Sequence, residues 1–76
     1  MPKFQPYQRV RVIQVLPRMD SNIGDCFPQV GDIGTVVEVY SDPEAYCVEA
    51  VLPNGRTKWL MDFSPDDLQP ETIRIY

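Results

Sequence analysis

Short stretches in which β-branched and polar residues alternate, separated by proline and glycine, are the feature that most restricts what this chain can form. Residues 9–15 read R-V-R-V-I-Q-V, so that Val10 and Val12 alternate with arginines. Period-two alternation of this kind predicts a strand with one buried face. Further strands are predicted at residues 35–40, 45–52, 56–63 and 72–76. No helix of about ten residues fits between them, which excludes a parallel sheet with crossover helices and predicts an all-β fold.

The segments between the predicted strands carry turn-forming residues. Residues 54–55 (N-G) are a strong hairpin signal, because both readily adopt positive φ. Residues 64–68 (S-P-D-D-L) predict one helical turn, with serine as cap and proline at the first position. Residues 16–32 form a long first loop, and loops of this length are often functional. We expect Gly34 at a tight turn into the second strand, and Gly24 in the loop with room around it.

A chain of 76 residues has room for one domain, and its 43% hydrophobic content is close to the globular average. We therefore expect one small five-stranded β-barrel over residues 1–76, with an ordered core at about residues 8–70. The alternation along each strand predicts which side chains are buried. They are Val10, Val12, Ile33, Val36, Val39, Tyr46, Val48, Trp59, Met61, Phe63 and Leu68.

Several motifs together carry a family resemblance. Residues 30–39 (V-G-D-I-G-T-V-V-E-V) resemble the second-strand signature of Src-homology-3-like small barrels, and KOW segments and the nitrile hydratase beta chain carry similar runs. A closer resemblance is to an uncharacterised family of small stand-alone bacterial proteins. It is carried by residues 31–39, 44–46 (E-A-Y), 48–49 (V-E), 54–57 (N-G-R-T) and 65–68 (P-D-D-L).

This resemblance spans about residues 9–70 and has consequences for fold and function. It implies a Src-homology-3-like barrel with a long first loop and one helical turn before the last strand. It implies no catalytic residue, and small barrels that resemble this one often act as accessory partners of larger enzymes. The chain departs from the family at Trp59 and in the insert at residues 17–30.

The ionisable residues argue against several classes of function. Seven Lys and Arg against eleven Asp and Glu give a net charge of −4, which disfavours general binding to nucleic acid. With no histidine, Cys26 and Cys47 cannot complete a four-ligand zinc site or form a Cys–His pair, so we expect free thiols. The carboxylates of Asp66 and Asp67 suit the first turn of a helix better than acid–base catalysis. The same holds for Glu38 and Glu49, which we expect on neighbouring strands.

The sequence thus predicts a protein that is not an enzyme and has no cofactor or metal. No nucleophile–base pair, phosphate-binding glycine loop or metal cluster is recognisable. The first residues have no apolar core of a signal peptide, and no apolar run is long enough for a membrane helix. We therefore expect a cytoplasmic protein without membrane contact.

Binding to another protein is the function that the sequence favours. The candidate interface consists of Ile23, Phe27, Tyr40 and Trp59, because aromatic anchors supply most interface energy. Trp59 could equally lie in the core with Met61 and Phe63, and Phe27 beside Pro28 could instead fasten the loop. Residues 18–28 are expected to be the most mobile part and the binding element. The partner and the oligomeric state are left open.

The alternative is an RNA- or ribosome-associated small barrel of the KOW type. Its candidate patch would be Arg9, Arg11, Arg56, Lys58 and Arg74. The competing interpretation is that the arginines pair across strands with Glu38, Glu49 or Glu71.

Overall fold

The chain folds into one antiparallel sheet of five strands. The structure, a computed structural model, describes residues 2–16 and 22–71. In chain order the elements are β1 (Arg9–Val12), β2 (Ile33–Tyr40), β3 (Ala45–Val51), β4 (Thr57–Phe63), a 3₁₀ turn (Pro65–Asp67) and β5 (Leu68–Pro70). Across the sheet they run β4-β3-β2-β1-β5, and every neighbouring pair is antiparallel. The predicted all-β class, with five strands and one helical turn before the last, is confirmed.

The two longest hairpins follow the predicted alternation. On β3, Tyr46, Val48 and Ala50 are buried, while the residues between them face outward. The Asn54-Gly55 turn joins β3 to β4 as the hairpin signal predicted. Gly55 has a φ of 87°, whereas Asn54 does not have the positive φ that was also expected of it. The buried members of the predicted core are Val10, Val12, Val36, Tyr46, Val48, Trp59, Met61, Phe63 and Leu68. No described helix is long and apolar enough to cross a membrane.

Two members of the predicted core are only partly buried. Ile33 pairs with Arg11 on the outer side of the sheet, because the next residue, Gly34, is the one that faces the core. Between Val36 and Glu38 the register shifts by one residue. This bulge returns Val39 to the inner side, where it packs against the edge of the core.

Phe4 is a core residue that the alternation did not reveal. It is fully buried, and its ring meets that of Tyr46 edge to face at 5.1 Å. The Tyr46 hydroxyl accepts a hydrogen bond from the Phe4 backbone N–H at 3.1 Å and donates one to the carboxylate of Glu44. The N-terminal segment therefore packs against the sheet as part of its core.

The first and last strands differ from the prediction. β1 ends at Val12 rather than at residue 15. The next residue, Ile13, donates its N–H to the carbonyl of Asp67 in the 3₁₀ turn at 2.8 Å. The predicted last strand at residues 72–76 lies outside the described residues. The fifth strand of the sheet is instead Leu68–Pro70, which pairs with β1 immediately after the turn.

Part of the long first loop is bound along the free edge of β4. Ile23 and Leu60 exchange backbone hydrogen bonds of 3.0 and 2.7 Å, and the Cys26 N–H donates to the Lys58 carbonyl at 2.8 Å. These bonds satisfy groups on an edge that would otherwise be open to another strand. Residues 22–26 thus behave as an additional short edge segment, in contrast to the loose loop expected. Residues 18–21 lie outside the described part.

This edge segment overturns the expectation that Gly24 has room around it. Gly24 has a φ of 133°, and a Cβ there would lie 2.7 Å from the Lys58 carbonyl oxygen. A Cβ on Gly34 would lie 2.7 Å from Val48 Cγ1 and 3.0 Å from Trp59 Cη2. Both glycines therefore permit a close approach to β3 or β4, and neither tolerates a side chain without movement.

Replacing Phe4 by Ala tests whether the N-terminal segment belongs to the core. We expect a loss of about 3–5 kcal/mol in the free energy of unfolding, because a fully buried ring is removed and a cavity remains. Phe27→Ala is the matched control, since this ring is 47% exposed and should lose much less. Denaturant unfolding of both variants measures the difference, and equal losses would contradict the docking of Phe4.

Alanine at Gly24 or Gly34 should destabilise the protein by about 1–3 kcal/mol, as overpacking does. In a domain of this size that corresponds to a fall in Tm of roughly 4–8 °C per kcal/mol. Gly55→Ala is the control, because Gly55 has positive φ but open space around it. If thermal melts gave Gly24→Ala no larger an effect than Gly55→Ala, the packing of the edge segment on β4 would be wrong.

Candidate protein-binding surface

Trp59, one of the four candidate interface residues, lies in the core. Its side chain has no exposed surface, and its ring packs edge to face on Phe63 at 5.7 Å between centroids. Its indole Nε1–H donates to Asp32 Oδ2 at 3.0 Å, so the polar group is satisfied. The core interpretation is therefore confirmed and the interface interpretation is wrong, because the alternation of β4 directs Trp59 inward with Met61 and Phe63.

Ile23 and Phe27 have exposed side chains on a backbone that hydrogen bonds fix to the sheet. Ile23 is 64% exposed and Phe27 is 47% exposed, and Val30, which sequence reasoning missed, is 67% exposed. We call residues 22–30 the apolar segment. β4 holds its first half, and the N–H of Gly31 donates to the Val12 carbonyl at 2.8 Å just beyond its end. The segment thus presents large apolar side chains from a backbone fixed near both ends.

The alternative role for Phe27, fastening the loop, belongs mainly to its neighbour. Pro28 is fully buried, whereas about half of the Phe27 side chain stays exposed. Gln29 adds a second fastening, because its N–H donates to Asp32 Oδ2 at 3.1 Å. Since the proline and this hydrogen bond secure the backbone, much of the Phe27 ring remains available for contact.

Tyr40 is 40% exposed and lies apart from the apolar segment. It ends β2, so that β3 and β4 lie between it and Ile23. With strands about 4.8 Å apart, the two are three strand spacings apart along the sheet. The structure therefore brings Ile23 and Phe27 onto one segment and leaves Tyr40 elsewhere on the sheet.

Three of the candidate basic residues have carboxylate partners. Arg11 binds Glu71 through two hydrogen bonds of 3.0 and 3.1 Å, which is one of the pairings that the sequence suggested. Arg56 binds Asp25 in the same two-pronged way at 2.8 and 3.0 Å, and this lowers the pKa of the Asp25 carboxyl. The third pair joins Lys58 Nζ to Asp32 Oδ1 at 3.7 Å.

These pairs leave little net positive charge on the candidate nucleic-acid patch. Arg9 is exposed and lies on the same side of β1 as Arg11, as expected from the alternation. Arg74 lies outside the described residues. A phosphate chain would have to compete with a carboxylate at each of the three paired positions, which weakens counterion release as a source of affinity.

The carboxylates considered for catalysis have structural surroundings. Asp67 is buried, and its Oδ2 accepts hydrogen bonds from the Ser64 N–H and hydroxyl at 3.1 and 2.9 Å, which closes the 3₁₀ turn. Glu38 and Glu49 do not face each other, because the strand register pairs Glu38 with Cys47 and Glu49 with Thr35. Among the described residues no group of three His, Cys, Asp or Glu side chains could hold a metal ion.

The two cysteines are free thiols in different surroundings. Cys26 is exposed on the apolar segment, and Cys47 is half-buried on β3. Burial and, to a smaller extent, the nearby Asp62 carboxylate together raise the pKa of the Cys47 thiol to about 11. Since the thiolate is the nucleophile, Cys47 is poorly reactive near neutral pH.

The difference between the thiols can be measured by alkylation with iodoacetamide. With a pKa of about 11, roughly 0.1% of Cys47 is thiolate at about pH 8, against roughly a quarter of an ordinary cysteine. The Cys26→Ser variant keeps only the Cys47 thiol, and the Cys47→Ser variant keeps only the Cys26 thiol. We expect the Cys47 thiol to react at least about tenfold more slowly than the Cys26 thiol. Mass spectrometry of the two variants follows the rates, and equal rates at that pH would refute the assignment.

Comparison with curated proteins and with solved structures found no match. A family model described as Domain of unknown function (DUF4926) matches residues 8–70. This range covers all five strands and the apolar segment, and it leaves Phe4 outside. The expectation of an uncharacterised small-domain family is confirmed at that level. Because the match covers most of the chain, the protein belongs to the DUF4926 family of domains of unknown function.

Proposed function

We propose that this protein is a non-enzymatic, protein-binding or accessory module built as a small Src-homology-3-like barrel, and that it works in a bacterial cytoplasm. The observation that carries the proposal is the apolar segment. Ile23, Phe27 and Val30 expose large apolar side chains from a backbone that is held on β4 and on β1. Exposed aromatic and aliphatic side chains on an ordered frame are typical of protein interfaces.

The fixed backbone of the apolar segment supports tight recognition. Binding by a loose loop loses conformational entropy when the loop becomes ordered, and this opposes association. Here the hydrogen bonds of Ile23 and Cys26 to β4 have already ordered the chain. Burial of Ile23 and Phe27 by a partner would therefore stabilise the complex, with a smaller opposing loss of conformational entropy than for a loose loop.

The acidic balance supports a protein partner over RNA. In the RNA-associated alternative, Arg11, Arg56 and Lys58 would contact phosphates, yet each already has a carboxylate partner. Ion pairs of this type at a protein surface have small net energies. A phosphate group would displace the carboxylate from such a pair only if its own interaction with the arginine or lysine were stronger. The net charge of −4 works against that gain.

Capture from native lysate with a photo-crosslinker tests the proposal. The double variant Ile23→Ser, Phe27→Ser should lose the partner that the unaltered protein captures, because both apolar anchors are removed. Val51→Ser is the matched control, since Val51 is 60% exposed on β3 outside the apolar segment. Thermal melts check that all variants fold. A partner captured equally by the double variant would exclude the apolar segment as the interface.

Titration with fluorescent single-stranded RNA separates the alternative. Steep weakening of binding as salt is raised from low to physiological concentration is the mark of phosphate contacts. We expect the titration to show no binding of this kind. A steep slope that Arg9→Ala reduces would favour the RNA-associated barrel instead.

A further inference from the structure

The first described residues occupy a pocket on the sheet in the way that an extended peptide occupies its receptor. Phe4 has no exposed surface, and its ring lies edge to face on that of Tyr46, with 5.1 Å between the ring centroids. The N–H of Phe4 donates to the Tyr46 hydroxyl at 3.1 Å, and the N–H of Lys3 donates to Glu44 Oε2 at 3.0 Å. Peptide recognition commonly combines these two elements, main-chain hydrogen bonds for affinity and a side-chain pocket for specificity.

The sheet holds the receptor side of this contact in place. Tyr46 lies on β3 and pairs with both β2 and β4, and its hydroxyl donates to the Glu44 carboxylate. This hydrogen bond, followed by the one from the Lys3 N–H, lowers the pKa of the Glu44 carboxyl, so that the acceptor is ionised at neutral pH. The family model covers residues 8–70, which include Tyr46 and Glu44 but not Lys3 and Phe4. Receptor and occupant thus belong to different parts of the chain.

Lys3 gives the occupant a basic residue directly before the aromatic one. Its Nζ donates to the Pro65 carbonyl at 3.3 Å, at the first residue of the 3₁₀ turn, and lies 5.3 Å from the centroid of the Phe4 ring. An ammonium group at this distance from an aromatic ring is attracted to it. The pocket is therefore bordered by an acceptor for a basic side chain.

The connection between this occupant and β1 favours its release. Residues 5–8 form a turn that is closed by a hydrogen bond of 3.2 Å from the Gln8 N–H to the Gln5 carbonyl. Within the turn Tyr7 has a φ of 69°, a left-handed conformation that costs a tyrosine free energy, and its side chain is 78% exposed. In the described part of the chain, residues 2–4 form no backbone-to-backbone hydrogen bond with the sheet. They can therefore leave without breaking a strand pairing, and the turn can then relax.

We propose that this pocket binds an extended segment of a partner protein in which a basic residue precedes a phenylalanine, and that residues 2–4 occupy it as an internal competitor. The partner's ring would replace Phe4 on Tyr46, and its N–H groups would donate to Tyr46 and Glu44. The chemistry of the partner segment follows from the occupant that the pocket already binds. Because the pocket must open first, the apparent affinity falls by the fraction of open molecules. The pocket uses none of residues 22–30, so it goes beyond the proposed function.

The capped peptide acetyl-Pro-Lys-Phe-Gln-amide, which copies residues 2–5, is the probe. Titrated into the ¹⁵N-labelled variant Phe4→Leu, it should shift the amide signals of Glu44 and Tyr46, with a Kd in the range of about 1 mM. The same peptide with alanine in place of phenylalanine should cause no such shifts. A peptide with norleucine in place of lysine should bind about two- to threefold more weakly, because the basic group is lost.

Two further proteins distinguish competition from a general loosening of the fold. The unaltered protein should bind the peptide at least about fivefold more weakly than Phe4→Leu, because its own ring fills the pocket better than leucine does. Trp59→Phe is the matched control, since it also reduces a fully buried side chain. Trp59 lies four residues along β4 from Phe63, the strand partner of Tyr46. This control should bind the peptide no more tightly than the unaltered protein, and thermal melts confirm that both variants fold.

Amide hydrogen exchange of the unaltered protein is a second measurement, which decides the matter if Phe4→Leu does not fold. The N–H groups of Lys3 and Phe4 should exchange at least about tenfold faster than those of β3, because local opening does not require unfolding of the sheet. Tyr7→Asn should slow this exchange by about two- to fivefold, since asparagine tolerates a positive φ and the docked state loses its strain.

The proposal is wrong if Phe4→Leu shows no shifts at about 10 mM peptide, if the alanine peptide binds equally well, or if Trp59→Phe binds as tightly as Phe4→Leu. It is also wrong if the Phe4 N–H exchanges as slowly as β3. Dimers that form at high protein concentration and that Phe4→Leu abolishes would assign the pocket to a second copy of this chain instead. Adding Ile23→Ser and Phe27→Ser to Phe4→Leu should leave peptide binding unchanged, so this proposal and the proposed function can fail separately.

Discussion

The burial of Trp59 is the constraint on which much of this small structure depends. The ring occupies the core beneath β2 and β3, and a side chain on Gly34 would meet it at 3.0 Å. Its N–H needs a buried acceptor, which Asp32 supplies at 3.0 Å. On the other side of β4, Gly24 brings the edge segment so close that a Cβ there would lie 2.9 Å from Trp59 Cα. The Trp59 side chain thus accounts for Gly34 and for the position of Asp32, whereas Gly24 lets the edge segment approach the backbone of β4.

Asp32 also connects this core to the surface. The same carboxylate accepts the N–H of Gln29 at 3.1 Å and pairs with Lys58 at 3.7 Å. Both partners flank the apolar segment, one at its end and one on the strand that holds it. The acceptor that satisfies the Trp59 indole therefore also fixes the backbone from which Phe27 and Val30 project. Core packing and the presentation of the candidate interface are in this way coupled through a single side chain.

The parts of the fold that could be predicted are those with local sequence signals. Alternation identified the inner faces of β3 and β4, and the Asn54-Gly55 pair located their hairpin. Phe4 could not be found in this way, because it docks on Tyr46, 42 residues away in sequence, from a segment without alternation. The docking of Ile23 on Leu60 is missed for the same reason, since a pairing between backbone groups at long range leaves no pattern in the side chains.

The candidate site was predictable in its residue types and not in its arrangement. Exposed apolar residues in the long loop indicated Ile23 and Phe27, and the alternation of β4 indicated that Trp59 points inward. Nothing local showed that Asp32 would accept the indole N–H or that Tyr40 lies across the sheet from the loop. The sequence suggested that the arginines pair with Glu38, Glu49 or Glu71, but which of these pairs forms depends on which strands become neighbours. Arg11 and Glu71 are 60 residues apart in sequence and meet only because β5 returns beside β1.

The small size of the domain explains both why outlying segments pack on the sheet and why apolar side chains remain exposed. A chain of 76 residues buries only about 60% of its unfolded surface, so every segment that can add apolar burial matters. Phe4 adds a ring to the core from outside the sheet, and Pro28 adds another contact from the loop. Beyond these residues, the part of the chain that the structure describes (2–16 and 22–71) supplies no further layer over Ile23 and Phe27. The edge segment must lie on β4 to protect its open hydrogen-bonding groups, and its outward side chains are then exposed unless a partner covers them.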